Sequence, residues 1–488
     1  METIDVDVLV CGGGMSGMAC AAFAADSGAK VLVVEKQSEI GGSSNYSAGM
    51  FWAPQTYHKL RDWVPQGDPE LQKAWLSDYL PAVQWMRENG VPMADRFNGI
   101  MTIGIGFPVN IPHLHSLHRK RIQSSKTRSE IFTNTSVVKL NQQQPGVSGS
   151  PITGAVIRRN LPNSSIECYN VRAKMVVLAT GGFQGSSDLR SKYLGQGGDD
   201  IFLRSNHGSV GDGLKLALGA GAGTSKGMSS YYGHLLAAPL RAEEVDPKDY
   251  LPLAQYQSKH CLLLNENGQR FADESTGDEI INQYLAKQEK RRGFLLFNEK
   301  TRVQHCITAL FPNAGDIDRM QKAREHGCNV ESSPTLTGLG DILHKWGVDR
   351  SRARRTIDEY DQSVRLGNKT IPLDAPIGRG GPPPTPLVDG EGPFHFSHRK
   401  ITFTYGGIAI DNKGHALTAD GSRIPGLLVA GVDAGGFSNL GYAGGLALAF
   451  VTGLWAAQEV AHHLGLPGPH LPAADARDGE DRPPRGRL

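Results

Sequence analysis

The chain has 488 residues, enough for two or three compact units at the usual ~100–200 residues each, and its 39% hydrophobic content is that of an ordinary globular protein. The formal net charge is only +2, with no basic stripe, which argues against a nucleic-acid binder, and no apolar run is long enough to span a bilayer. Six scattered cysteines without CxxC spacing argue against a zinc site, an attached haem or a disulfide framework, and with no basic leader before the first strand a cytoplasmic protein is expected.

Residues 4–10 form a short apolar run that ends in glycines. Residues 15–28 are Ala-rich with helical patterning, and Lys30 to Glu35 make a second β-branched strand, so a βαβ unit begins almost at residue 1. Residues 68–90 predict a helix, whereas His118-Arg119-Lys120-Arg121 reads as a solvated loop rather than a binding patch. Residues 129–140 and 151–159 alternate like strands of an antiparallel excursion, Lys174 to Leu178 is a buried strand, and Gly213 to Gly221 is helical. From about 233 to 403 the texture changes to mixed helices and loops, with a proline-rich passage at Pro382-Pro383-Pro384. Strands return at Ile401–Ile410 and Gly426–Ala430, followed by an Ala/Leu-rich helix from about Leu446 to His463. The tail after Leu464, rich in Pro, Gly, Asp and Arg, is expected to be disordered.

Sixty glycines are many for this length, and glycine is used where backbone turns left-handed or approaches a ligand closely. Gly12-Gly13-Gly14-Met15-Ser16-Gly17 fits GxGxxG between a strand and a helix. Gly12 permits the tight turn, Gly14 lets the backbone approach a pyrophosphate, and Gly17 allows helix to pack on strand, with the helix N-terminus facing the phosphate charge. Glu35 ends the second strand, where a carboxylate accepts both ribose hydroxyls and repels a 2′-phosphate. Three segments further along the chain point to FAD rather than NAD. Gly41 to Gly49 is an extended small-residue stretch, where another helix would be expected, able to lie along a pyrophosphate and an isoalloxazine edge. Ala179-Thr180-Gly181-Gly182 makes a small-residue turn after a buried strand, and Ile424 to Asp433 puts a carboxylate at a strand end, suited to ribityl hydroxyls. The helix from Leu446 then points its positive end where reduced flavin carries negative charge.

These motifs, with Val210-Gly211-Asp212-Gly213, Gly268-Gln269-Arg270-Phe271 and the segment from Thr404 to Leu448, resemble one flavoprotein family. It comprises fumarate reductase and succinate dehydrogenase flavoprotein subunits, 3-ketosteroid dehydrogenases and tricarballylate dehydrogenases, and the likeness is strongest to the last two. The resemblance covers nearly all of residues 4–463. It implies an α/β fold with a Rossmann-like FAD-binding domain split between residues 1–232 and 404–465. An α+β substrate-capping domain is inserted at 233–403, a disordered tail follows at 466–488, and substrate is held between cap and flavin. FAD contacts are implied at Gly12, Gly14, Met15, Ser16 and Gly17, at Glu35 and Lys36, and at Gly42, Ser43, Ser44, Ala48 and Gly49. Further contacts are implied at Val137, Ala179, Thr180, Gly181 and Asp212, then at Gly431, Asp433, Gly445, Leu446 and Leu448. Some relatives bond flavin covalently through a histidine beside the Gly-Gly-Ser stretch; none sits there here, so noncovalent FAD is expected, and no metal.

The family's reaction interconverts CH–CH and C=C next to a carbonyl or carboxyl group, with hydride exchanged at flavin N5 and a proton handled by a protein group. Fumarate reductases deliver that proton from an arginine soon after an RF-x-x-E motif, and no arginine follows in Arg270 to Asp278. Their histidine before the Gly-Gly turn is Phe403 here, their late arginine is Tyr442, and only His234 stays near a family histidine. Tyr442 in Gly441-Tyr442-Ala443-Gly444-Gly445 is similar to the tyrosine with which 3-ketosteroid Δ1-dehydrogenases polarise the ketone, although the tyrosine they use as base, expected near Gly277, is missing. Ile401 to Gly407 looks most like tricarballylate dehydrogenases, and Arg399 could pair with a substrate carboxylate. The expected protein is an FAD-dependent dehydrogenase that desaturates a bond beside a ketone or carboxylate of a small molecule and passes electrons to an external acceptor. Tyr442 polarises the carbonyl with help from Tyr405, His234 or a nearby tyrosine takes the α-proton, and Arg399, Phe403 and Tyr232 line the substrate. Asp278 and Tyr284 are expected at structural or surface positions. The rival readings are an enoate or enone reductase and a non-catalytic binding protein on the same fold.

Overall fold

The computed structural model describes residues 1–101, 103–240, 245–309, 315–365, 394–398 and 400–479. It divides into two compact units, one of residues 1–196, 205–231 and the described residues from 403 onward, the other of residues 197–204 and 232–402.

The first unit is built on strands whose apolar runs are buried on both faces, the pattern of a covered parallel sheet. Strand β1 (Glu2–Cys11) leads into helix α1 (Met15–Asp26) and strand β2 (Val31–Val34). Helices α2 (Pro69–Glu88) and α3 (Ile111–Gln123) follow. Strand β3 (Glu130–Phe132) joins the sheet, and β4 (Thr135–Gln142) and β5 (Ile152–Asn160) form an antiparallel branch onto β6 (Ile166–Leu178). Helix α4 (Asp212–Gly219), strands β7 (His415–Leu417) and β8 (Arg423–Val429) and helix α5 (Leu446–Leu464) complete it. The sheet order is β7-β8-β6-β1-β2-β3, with every pair from β8 to β3 parallel.

Every residue of α1 except Asp26 is buried, and its small side chains let neighbours approach to backbone distance. A Cβ added at Gly453 of α5 would lie 2.3 Å from the Ser16 carbonyl oxygen, and one added at Gly17 would lie 1.9 Å from the Gly12 oxygen. Both obstacles are backbone. Gly17→Ala is therefore expected to cost at least about 1–3 kcal/mol, read as a lower melting temperature of apoprotein and holoprotein alike; an unchanged melting temperature would refute this packing.

Three sequence expectations are corrected in this unit. The His118–Arg121 run lies on α3, with His118 fully buried against Trp85 at 5.8 Å between ring centroids; alternation of polar residues hid an amphipathic helix. Ile401–Ile410 is strand only at Lys400–Ile401 and Phe403–Thr404, because Gly406 and Gly407 pack against backbone instead of pairing along a ladder. The tail, expected to be disordered, packs as far as residue 479: Leu466 and Leu471 lie against the core, and Arg87 pairs with Asp478 in a short helix, Ala476–Gly479.

In the second unit, strands Leu236–Ala237, Phe394–His398, Gly293–Leu296 and Leu262–Asn265 form an antiparallel sheet. Leu262 and Leu264 face helices Leu336–Lys345 and Arg350–Arg365, whereas Leu263 and Leu295 face helix Asp278–Leu285, so alternate residues serve two cores. Arg399 and the Pro382–Pro384 passage lie outside the described residues.

Candidate functional site

Cys11 pairs with both Val34 and Leu178, and Leu178 with Val429, so four parallel strands end in register. Gly12, Glu35, Ala179 and Ala430 therefore leave the sheet along one carboxyl edge, the place where open α/β sheets bind ligands. Gly12 has a φ of +110°, and a Cβ there would meet the Ala179 oxygen at 2.1 Å. The Glu35 carboxylate is buried and accepts from the Gly13 N–H at 2.7 Å and the Gln37 N–H at 2.8 Å. Helix α1 begins after Gly14 with no capping side chain and no acidic residue in its first turn. A Cβ added at Gly14 would have only the Gly41 oxygen within 4.0 Å, so there is open space beside Gly14, the residue that precedes the first turn of α1.

The Gly41–Gly49 stretch begins as a 3-10 turn, Gly42–Tyr46, rather than an extended strand. Gly42 lies against Gly14, Ser43 and Ala48 are more accessible, and Gly49 packs on Val109. Ser44 is buried: its hydroxyl donates to the Gly41 oxygen at 2.5 Å and meets His115 Nε2 at 2.7 Å. Since that hydroxyl proton is committed, the imidazole must donate from Nε2, and burial followed by Arg119 pulls the His115 pKa down to about 4, keeping it neutral.

Asp433, at the end of the turn after β8, is fully buried and accepts from the Thr180 N–H and the Thr180 hydroxyl. Burial raises its pKa to about 7 against those bonds. Thr180 Oγ1 also accepts from the Gly213 N–H at 2.8 Å, tying α4 to this corner, and Lys36 pairs with Asp212 at 2.6 Å. Gly181 turns with a φ of +89°, and Gly431 lies against Ser16 of α1. Val137 sits on β4 at a register shift against β5, the kind of bulge that re-aims backbone beside a site. Leu446 and Leu448 open α5, whose cap, Gly445, again offers no capping side chain.

Beside that helix end the structure gathers four rings. Tyr405 and Tyr442 lie nearly parallel, with centroids 6.4 Å apart and planes at 13°. Phe403 meets Tyr442 at 5.6 Å and Tyr405 at 6.0 Å, and Trp52 stands edge-on to Tyr442 at 5.2 Å. The Tyr442 hydroxyl lies where a Cβ on Gly445 would be 2.7 Å away, at the positive end of a 19-residue helix.

His234 and Tyr232 lie in the second unit. Alternate residues of an extended segment share a face, and the Tyr232 hydroxyl meets His234 Nε2 at 2.7 Å. His234 Nδ1 meets Asp278 Oδ2 at 2.6 Å, so Asp278, expected at a structural or surface position, is buried and bonded to the candidate catalytic histidine. Tyr284 packs at the margin of a core, as a structural residue does. Trp52, His115 and Asp278 were not singled out from sequence as site residues. Only Asp278 carried a local signal, an acid opening a helix after a glycine.

The carboxyl-edge residues fit FAD. An uncapped helix N-terminus beside glycines suits a pyrophosphate, Glu35 a ribose, and buried Asp433 a polyol. The family described as FAD binding domain matches residues 7–448. A vinyl phenol reductase of Lactiplantibacillus plantarum is 26% identical, over 88% of this chain and 90% of its own. A 4-oxocyclohex-2-ene-1-carboxylate 5-dehydrogenase of Sinomonas cyclohexanicum is 25% identical, over 94% of each. The solved 3-ketosteroid Δ1-dehydrogenase of Sterolibacterium denitrificans shares the fold, with a TM-score of 0.71 at 17% identity over 94% of this chain and 99% of that one. Among the described residues no helix is long and apolar enough to cross a membrane.

Proposed function

The chain belongs to the family of FAD-binding flavoproteins, and from that premise we propose that it is a dehydrogenase that desaturates a C–C bond next to a ketone on an apolar body. Bound FAD supplies a two-electron acceptor at N5. The observation that carries the reading is the pairing of Tyr442 with Tyr405 beside the α5 N-terminus, walled by Phe403 and Trp52. Two phenols can donate to one ketone oxygen, and the helix end stabilises the negative charge that gathers there as the α-proton leaves. Aromatic walls favour a carbocycle, whereas a polycarboxylate calls for cations that these four side chains do not supply.

Anaerobic stopped-flow mixing with 4-oxocyclohexane-1-carboxylate, a saturated 3-ketosteroid and tricarballylate tests this. Flavin bleaching by a ketone is expected, and bleaching by tricarballylate alone would overturn the ketone assignment. The same residues serve the reverse reaction, so dye-linked assays run in both directions decide which is faster. The flavin is held without a covalent bond, since Gly41 to Gly49 contains no histidine; acid precipitation should leave all the yellow colour in the supernatant.

A further inference from the structure

We propose that Arg204 and Thr402 form a binding site, within the second unit, for the carboxylate of a small acid with an apolar body. The site is built from residues of that unit alone and is independent of the desaturase reading.

Its first sign is a charge without a counter-charge. Arg204 is buried, with 6% of its surface exposed. Among the described residues no carboxylate lies within ion-pair distance of it, and its Nη1 has no hydrogen-bond partner. The other buried arginines of this unit show what is missing. Arg270 grips Glu274, and Arg319 donates to the Cys306 carbonyl at 3.0 Å and to the Thr308 hydroxyl at 2.7 Å. A guanidinium cannot shed its proton to escape burial, so only an anion that reaches it repays its removal from water. The acids nearby do not serve. Asp278 feels the Arg204 charge, but its carboxyl meets His234 Nδ1 at 2.6 Å and is bonded to Glu279. Burial, against that bond and the Arg204 charge, holds the Asp278 pKa up at about 7, and burial with the Asp278 charge holds Glu279 at about 8. The pair therefore shares a proton at neutral pH and leaves Arg204 uncompensated.

The second sign is a hydroxyl beside it. Phe202–Leu203 pairs in parallel with Lys400–Ile401, and the Arg204 N–H donates to the Ile401 carbonyl at 2.9 Å, so the register sets Thr402 beside Arg204. The Thr402 N–H donates to the Tyr232 carbonyl at 2.7 Å, yet the Thr402 hydroxyl is buried without a partner. Two neighbouring orphaned donors, a planar fork and a hydroxyl, match the two oxygens of a carboxylate. The flanking rings describe the rest of the ligand. Phe202 lies two residues before Arg204, on the same face of its strand. The Arg204 guanidinium carbon is 6.0 Å from the Tyr250 ring, and Phe202 meets that ring edge-on at 6.4 Å. Such walls suit an apolar acid, and one guanidinium suits a single negative charge better than a phosphate dianion.

Calorimetric titration of the holoenzyme with benzoate and cyclohexanecarboxylate at neutral pH tests the site, with benzamide and inorganic phosphate as controls. Saturable binding of at least one acid is expected, with both controls much weaker. Arg204→Met should weaken that binding at least about 30-fold. Arg204→Lys, which keeps the charge and loses the fork, should weaken it less, and Thr402→Val should weaken it about 5- to 10-fold. Melting curves add a readout that a structural arginine would not give. Without ligand, Arg204→Met should melt no lower than wild type, because the apolar side chain removes an uncompensated buried charge. The acid should raise the melting temperature of wild type but not of that variant. Unchanged binding in Arg204→Met, phosphate binding tighter than either acid, no saturable binding of either acid, or a lower melting temperature for ligand-free Arg204→Met overturns the assignment.

Discussion

Replacing Tyr442 by Phe is expected to lower turnover with a ketone about 10²–10³-fold while leaving the protein yellow and folded. The substitution removes one oxygen and keeps the ring in contact with Trp52, Phe403 and Tyr405. The backbone is held independently, since Trp63 Nε1 donates to the Tyr442 carbonyl at 3.1 Å. What is lost is a donor at the α5 N-terminus, where charge develops on the carbonyl oxygen. Gly445→Ala should reproduce the defect by another route. Its methyl would sit 2.7 Å from the phenol oxygen, and the flexible end of a side chain yields before a helix does. Turnover by Tyr442→Phe within a few-fold of wild type would remove Tyr442 from the chemistry.

The flavin-binding unit was legible in sequence because its constraints are local. GxGxxG, the acid ending the second strand and the small-residue turns each need particular residue types at fixed spacing, and they lie on a carboxyl edge set by the registers of Cys11, Val34, Leu178 and Val429. The Tyr442–Tyr405 pairing was half legible: each tyrosine stood out beside a glycine turn, but their parallel rings depend on how two loops return to α5. His115 behind Ser44 and Asp278 behind His234 lie 71 and 44 residues away from their partners. Neither pair has a motif, because a buried hydrogen bond requires only that two atoms meet. The HRKR run misled because charge density was weighed above the helical spacing of Leu114, His118 and Ile122, all buried on one face of α3.

The Arg270–Phe271 motif was legible as a family mark, but sequence did not say what it does, and its geometry implies a second large effect. Arg270→Ala is expected to destabilise the second unit by about 3–5 kcal/mol. Arg270 grips Glu274 through Nε at 3.0 Å and Nη2 at 2.5 Å, with both side chains buried, and Glu274 also accepts from the Leu263 N–H at 3.1 Å. Desolvation opposes the Arg270 charge, and the Glu274 bonds outweigh it, leaving its pKa raised. Gly268 makes the turn possible at a φ of +71°, where a Cβ would strike the Ala353 nitrogen at 2.6 Å. Truncating Arg270 strands a carboxylate on the edge of the sheet core, and the melting transition should fall by roughly 10 °C, at about 2–4 °C per kcal/mol for a unit of this size. Arg354 and Asp358 provide the control. They share the i,i+4 spacing, at 3.0 Å, but both are exposed, so Arg354→Ala should cost less than about 0.5 kcal/mol. Calorimetry of the two variants, with FAD content measured alongside, separates the cases. Equal, small shifts would mean that burial is not what gives the motif its weight.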